Sequence, residues 1–167
     1  LASGVSGNMF WNLSALTTAN SMFNGATAFN QNLGALNLSN CTNLNQMFSG
    51  ANKFNNGGSS DINNWTFATT GNIIMSSMFS EAILFNQPIG SWNISNVTNF
   101  TNFMSGKTPT TFSATNLDAI YNGWSTRPVK TPIAITFGLI KYTAASSAGR
   151  AILTGAPNNW VITDGGI

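Results

Sequence analysis

The chain has 167 residues, of which 43% are hydrophobic, so it is of single-domain size and has enough apolar material for a sizeable core. Only 6% of the residues are charged, and six cations against four acids give a net charge of +2. Phosphate binding needs clustered cations and a membrane span needs about 18 consecutive apolar residues; the sequence offers neither, so we expect no nucleic-acid binding and no membrane insertion.

The first letters of the chain predict an incomplete repeat. The chain begins at Leu1 without an initiating Met or a signal-like segment, and we therefore expect a fragment or a processed product. This segment contains Met9, Phe10 and Trp11, which match residues of the predicted strand and helix in the later repeats. The loop motif "FNQ" of those repeats is missing here. We interpret this segment as a half repeat.

Complete repeats follow, each marked by a Met beside a Phe. The pairs at 22–23 and 47–48 are 25 residues apart, as are those at 78–79 and 103–104, whereas the middle interval is 31 residues. Part of the excess lies in "NNGGSSDINNW", where Gly57 and Gly58 stand among small polar residues. This composition predicts a loop at the edge of the repeat that leaves Trp65 in register with Trp92.

Each repeat shows two hydrophobic periodicities in succession. Alternating apolar residues such as Leu36 and Leu38 predict a short strand. The spacing that follows predicts a helix of about two to three turns, ended by a glycine such as Gly106. Its apolar face would be formed by Val97, Phe100, Phe103 and Met104. We expect strands near 11–13, 36–38, 65–67 and 92–94 to stack in parallel as one sheet, with the helices outside.

The repeat motif carries a family resemblance. Residues 33–44 read L-x-x-L-x-L-x-x-C-x-x-L, which is similar to the leucine-rich repeat signature. The pattern "MFxxAxxFNQxxxxWNxSNVTNxxxMF" over residues 8–112 resembles the BspA-like leucine-rich repeat family of bacterial and viral surface proteins. The resemblance implies an α/β fold: a leucine-rich repeat solenoid with a short parallel sheet on the concave side, short helices on the convex side and a C-terminal cap. It also implies display on a cell or virion exterior for adhesion or receptor recognition, and no catalytic residues.

The end of the chain differs from the repeats and is predicted to cover the last one. Residues 133–137 and 160–163 alternate as strands, and residues 146–153 form a weak helix. This part also resembles the cap found after such arrays. We therefore divide the chain into a repeat array over 1–112, with the half repeat and about three and a half units, and a capping region of the same solenoid over 113–167.

The sequence offers no recognisable catalytic or metal-binding constellation. It has no His, and its four acids are scattered along the chain. Its single cysteine, Cys41, excludes an internal disulfide and is expected to be a small buried hydrophobe. The tryptophans occupy positions of the repeat core, so we assign them to packing rather than to a stacking groove. We expect no enzymatic activity, no cofactor and no metal site.

What remains is the outward face of the predicted strands, where polar residues alternate with the core positions. We expect this neutral sheet of amides and hydroxyls on the concave side to bind a glycan or another polar polymer, although it could equally be solvated surface. The candidate ligand-binding residues are Asn12, Asn37, Ser39, Asn64, Thr66, Ser91, Asn93 and Ser95.

Two functions from different classes follow. The first is a non-catalytic extracellular recognition or adhesion module, a surface adhesin or the receptor-binding domain of a phage or virion, which contacts a host-surface glycan or protein. The second is a structural spacer or capping module that self-associates in a fibre or virion appendage. Both place the protein outside the cell, on a cell surface or a virion surface.

Overall fold

A computed structural model describes residue 13 and residues 15–167. The half repeat predicted around Trp11 and the candidate ligand residue Asn12 therefore lie outside the described residues. Within the described part of the chain, four short strands and two α-helices occur. They are β1 (Ile73–Ile74), β2 (Val97–Asn99), α1 (Ala114–Trp124), β3 (Ala134–Thr136), α2 (Ser147–Thr154) and β4 (Val161–Thr163). Short 3-10 helices cover Asn56–Gly58, Ser60–Asn64 and Ala144–Ser146.

Parallel pairing joins successive repeats and continues into the C-terminal region. β1 pairs with β2 and β3 pairs with β4, both in parallel. Isolated parallel bridges extend this pairing, from Thr18 to Asn43, from Asn43 to Ile74 and from Phe100 to Ile135. We call this series of paired segments, from Thr18 through to β4, the main ladder. Each repeat is thus one coil of a stack, and the capping region adds further coils through β3 and β4.

The main ladder does not run through the predicted strands. Of the segments at 36–38, 65–67 and 92–94, one parallel bridge, from Leu38 to Phe67, is found in the described residues. The pairing instead runs through the segments that open the predicted helices, such as β2. The predicted parallel pairing is therefore confirmed between Leu38 and Phe67, whereas in the described residues the main ladder lies several residues after the predicted strands.

The helices predicted from positions 41 and 97 onward were wrong, since these segments form a strand or bridge followed by consecutive turns. In the turns, every second N–H donates to a carbonyl of the next coil at 2.8 to 3.0 Å, and the N–H groups between them donate to carbonyls three residues earlier. The donors to the next coil are Ser21, Phe23 and Gly25, then Gln46, Phe48 and Gly50, then Ser77, Phe79 and Glu81.

Two left-handed residues in each coil explain why no helix forms. The first is Ser21 and its equivalents, with φ near +54°, and the second is Gly25 and its equivalents. A right-handed helix requires negative φ throughout, so these residues interrupt it and turn alternate N–H groups towards the neighbouring coil. The equivalents are Gln46, Ser77 and Asn102 for the first position, and Gly50, Glu81 and Gly106 for the second.

Aromatic rings stack from coil to coil in the interior. Trp65 and Trp92 stack with centroids 5.8 Å apart, and the ring of Trp92 is fully buried. Each indole N–H also donates to a carbonyl of the preceding coil, from Trp65 to Leu33 at 3.0 Å and from Trp92 to Ile62 at 2.8 Å. These contacts confirm that Trp65 keeps its register despite the inserted residues, and that Trp92 belongs to the core.

Asparagines tie the coils together at the "FNQ" corner. Asn30 Oδ1 accepts the N–H of Asn55 at 2.7 Å, Asn55 Oδ1 accepts the N–H of Asn86 at 2.9 Å, and Asn86 Oδ1 accepts the N–H of Ser113 at 2.9 Å. The donor of the last bond, Ser113, is the N-cap residue of α1, so the ladder of asparagines passes directly into the capping region. These asparagine side chains therefore satisfy backbone N–H groups of the corner loops.

A buried lysine replaces one backbone donor of the stack. Three residues after the second left-handed residue of a coil, a backbone N–H donates to a carbonyl of the preceding coil. Lys53 donates to Thr27 O in this way, and Leu84 donates to Asn52 O. The next equivalent residue is Pro109, which has no N–H. Lys107 Nζ instead donates to Ile83 O at 2.9 Å, and also to Ala82 O at 2.5 Å and Phe85 O at 2.6 Å. Burial lowers the pKa of Lys107 to about 7, and nearby Glu81 opposes this shift.

The capping region packs α1 and α2 beside β3 and β4. Trp124 of α1 donates its indole N–H to Ile89 O at 3.1 Å, so it takes the place that the tryptophan of a further coil would have. Tyr121 of the same helix donates to Asp164 at 2.5 Å, and Arg150 of α2 pairs with the same carboxylate at 2.7 Å. These contacts fix both helices to the chain after β4.

We predict that Trp92→Ala lowers the free energy of unfolding by about 3–5 kcal/mol, because a buried aromatic ring and its indole hydrogen bond are lost. Exposed Asn64 supplies the control, since Asn64→Ala should stay within about 0.5 kcal/mol. Denaturant unfolding followed by circular dichroism measures both variants. A Trp92→Ala protein as stable as the parent would contradict the assignment of this ring to the core.

We predict that Lys107→Met destabilises the protein by at least about 1–3 kcal/mol, the cost of leaving one buried carbonyl without a donor. Adding Pro109→Ala to this variant should recover part of the loss, because the restored N–H can reach Ile83 O. In the parent protein Pro109→Ala should bring no such gain, since Lys107 already occupies that carbonyl. Denaturant unfolding measures the free energy of unfolding in both backgrounds. If Pro109→Ala changes it equally in both, Lys107 does not substitute for the missing backbone donor.

Candidate ligand-binding surface

The predicted outward residues do face away from the core in the described part of the chain. Asn37, Asn64, Thr66, Ser91 and Asn93 are exposed, and Ser39 and Ser95 are half-buried. The residues that alternate with them are buried, apart from half-buried Leu36. The alternation of core and surface positions was therefore predicted correctly, although these segments are not the strands of the main ladder.

Two of the predicted asparagines are occupied by their own turns. Asn37 Oδ1 accepts the N–H of Ser39 at 2.9 Å. Asn93 Oδ1 accepts both the N–H of Ser95 at 3.1 Å and the Ser95 hydroxyl at 2.7 Å. Such a bond, from an asparagine side chain to the backbone N–H two residues later, stabilises a local turn. These carbonyl oxygens therefore have a structural role, and the amide N–H groups are what these side chains can offer to a ligand.

Ser91 is held by the neighbouring coil. Asn63 Nδ2 donates to Ser91 Oγ at 3.0 Å, and the N–H of Ser91 donates to Asn63 Oδ1 at 3.1 Å. The serine oxygen thus accepts one hydrogen bond, while its hydroxyl proton stays available as a donor. The pairing fixes the position of that hydroxyl on the surface.

A cavity of about 250 Å³ brings two of the predicted residues together with four others. Asn93 and Ser95 line it with Thr69 and Asn96, while buried Phe67 and Ala68 provide apolar surface. Asn96 Nδ2 donates to Ala68 O at 3.4 Å across the two coils. The remaining predicted residues, Asn37, Ser39, Asn64, Thr66 and Ser91, do not line this cavity. Sequence reasoning missed Thr69 and Asn96. The interval from Trp65 to Met78 is two residues longer than that from Trp92 to Phe103, and this extra length was the signal for an irregular loop at Thr69.

A second polar surface lies on the main ladder and was missed in the repeats, where its residues were assigned to helices. Amide or hydroxyl side chains occupy one position of every coil there. Asn45 Nδ2 donates to Asn20 Oδ1 at 3.0 Å, and Ser76 Oγ donates to Asn45 Oδ1 at 2.5 Å. The row consists of Asn20, Asn45, Ser76, Thr101, Thr136 and Thr163, all at least partly exposed.

The acidic groups contact structural partners. Hydrogen bonds from Ser59 and Asn32 lower the pKa of exposed Asp61. Against the opposing effect of burial, hydrogen bonds from Ser146 and Thr143 hold the pKa of Asp118 below its ordinary value.

The thiol of Cys41 is buried and hydrogen-bonded. Burial raises the pKa of Cys41 to about 11, and its thiol donates to Leu16 O at 3.1 Å. Among the described residues no group of three or more Cys, Asp or Glu side chains is placed to hold a metal ion. No helix in that part of the chain has both the length and the apolar character needed to cross a bilayer.

Comparison with known proteins gives one match. Residues 4–120 match a family model described as "Mycoplasma protein of unknown function, DUF285", and these residues are more than half of the chain. Neither a curated protein nor a solved structure matches the chain significantly.

We predict that Asn93→Ala lowers the free energy of unfolding by about 0.5–1.5 kcal/mol, because two donors of Ser95 lose their acceptor. This is more than a freely exposed asparagine would cost, and Asn64→Ala again serves as the control. Thermal unfolding of both variants measures the difference. Identical melting temperatures would contradict a structural role of the Asn93 carbonyl.

Proposed function

The chain belongs to the DUF285 family of Mycoplasma proteins of unknown function, and on that premise we propose that it is a non-catalytic recognition module that binds a host-surface glycan. We place it outside the cell, as part of a surface adhesin or of the receptor-binding domain of a phage or virion. The absence of a His residue anywhere in the sequence supports a binding rather than a catalytic role.

The finer family assignment is part of this proposal: a BspA-like leucine-rich repeat solenoid over residues 1–112 with its capping region over 113–167. Coil-to-coil hydrogen bonds, stacked aromatic rings and the asparagine ladder support the solenoid, because each repeat buries its apolar residues against the next one. The cap is supported by α1, whose N-cap Ser113 bonds Asn86 and whose Trp124 continues the row of tryptophans.

The cavity beside Asn93 is the observation that carries the proposed ligand class. Its polar residues, Thr69, Asn93, Ser95 and Asn96, are all neutral, so they offer hydroxyl and amide groups without a charge. Its volume of about 250 Å³ limits the ligand to a small unit such as one sugar ring, and its lining includes the apolar side chains of Phe67 and Ala68. A neutral sugar matches this combination better than an ionic ligand, since no charge lines the cavity to compensate an ion.

One observation favours the alternative, a structural spacer or capping module. β4 pairs with β3 alone among the described strands, and Val161 at this edge is 66% exposed. An uncovered edge of a parallel sheet can pair with another chain. Analytical ultracentrifugation over a range of protein concentrations distinguishes the alternatives, because a spacer that self-associates will sediment as larger species.

We predict that the isolated protein binds neutral oligosaccharides on a glycan array and that Thr69→Trp reduces this binding about tenfold or more, because the indole fills the cavity. Thr70→Trp is the matched control: Thr70 is exposed and adjacent but does not line the cavity. Loss of binding in both variants, or in neither, would place the ligand elsewhere. No array signal from the folded parent would contradict the proposed function itself.

A further inference from the structure

A second crevice, of about 220 Å³, lies where α1 meets the repeat array. Two glycines set its geometry. A Cβ at Gly123 would stand 2.1 Å from Gly90 O, and a Cβ at Gly90 would stand 2.2 Å from Ala119 O, so the two backbones approach more closely than other residues would allow. Gly90, Ala119 and Gly123 also line the crevice, where they present no large side chain.

Arg127 holds a fixed position in this crevice. It follows the C-terminal end of α1, and its Nη1 donates to Gly123 O and, at 3.4 Å, to Gly90 O. In the part of the chain that the structure describes, its Nε and Nη2 donate to no protein acceptor, and the one ion pair found there joins Arg150 to Asp164. Arg127 is thus a half-buried cation, anchored by one nitrogen, whose Nε and Nη2 edge has no protein partner.

We propose that this crevice binds the carboxylate of an acidic sugar. The Nε and Nη2 edge of a guanidinium matches the two oxygens of a carboxylate in a bidentate pair. Because Nη1 is already bound to the protein, little side-chain freedom remains to be lost when the ligand binds. The inference rests on the proposed function and deepens it, since it adds an acidic sugar unit to the neutral glycan bound at the cavity beside Asn93.

The other crevice residues favour a sugar over a simple carboxylate ion. Asn63, Ser91 and Thr126 line the crevice and supply neutral hydrogen-bonding groups. Since Ser91 Oγ already accepts from Asn63, its hydroxyl is directed to donate to a further acceptor, as a sugar hydroxyl is. Of the predicted ligand residues that the structure describes, Ser91 is the one that lines this crevice.

Nuclear magnetic resonance with small probes tests the site directly. Sodium glucuronate, glucose and sodium acetate are titrated separately into the nitrogen-15-labelled protein, and the Arg127 Nε–H and Ser91 amide signals are followed. We expect glucuronate to shift both signals saturably, glucose to shift neither, and acetate to act at least about tenfold more weakly than glucuronate. No shift with glucuronate, or equal effects of glucuronate and acetate, would overturn the inference.

Variants then separate Arg127 from general charge effects. Arg127→Gln should weaken glucuronate binding about tenfold or more, and Arg127→Lys should restore part of it. Lys130→Gln removes a neighbouring exposed cation that does not line the crevice and should leave binding unchanged. Equal losses in Arg127→Gln and Lys130→Gln would overturn the inference.

Failure of the inference and failure of the proposed function are distinguishable. Neutral-glycan binding that depends on Thr69, together with no response to glucuronate, overturns the acidic-sugar site alone. Glucuronate binding by a protein that gives no array signal overturns the proposed glycan cavity and leaves the carboxylate site standing.

Discussion

Backbone hydrogen bonds between successive coils are the constraint from which the rest of the structure follows. In the turn segments every second N–H is committed to the next coil, so neighbouring coils cannot shift relative to one another without breaking several bonds together. The same register brings equivalent side chains over each other. Phe23, Phe48 and Phe79 stack at 5.3 and 5.5 Å between centroids because the backbone places them so, and the packing then excludes water from the bonds.

The neutral composition suits this arrangement. Stacking identical positions at the spacing of paired strands would bring like charges close together if the repeats carried them. Asparagine avoids this conflict because its amide contains both a donor and an acceptor and can bond to a neighbouring copy of the same coil. Asn20 and Asn45 bond each other in this way, and Asn55 bonds the backbone of the next coil. The polar half of the sequence therefore takes part in cohesion as well as in solvation.

Much of the interior could be predicted from the sequence, because repeated apolar letters mark repeated core positions. The spacing of the tryptophans gave their register even across the insertion before Trp65. The helices could not be predicted correctly, because apolar residues at intervals of three and four are compatible with a helix and also with consecutive turns. The left-handed backbone at Ser21, Gln46 and Ser77 decides between the two structures. Serine and glutamine have no preference for positive φ, so the sequence does not indicate it. The cavity beside Asn93 depends on how one irregular loop packs. The sequence shows that this loop is longer than its equivalents, but not how it packs.

The distribution of charge divides the molecule into two parts that respond differently to the solution. Coil-to-coil contacts in the array are almost all made between neutral groups, so dissolved salt has little to screen there. Ionisable side chains that contact one another, Tyr121, Arg150 and Asp164, are gathered in the capping region, and Lys107 stands at its border. Changes in ionic strength therefore act mainly on one end of the stack, whereas a change in acidity also reaches Asp61 and Lys107 within the repeats.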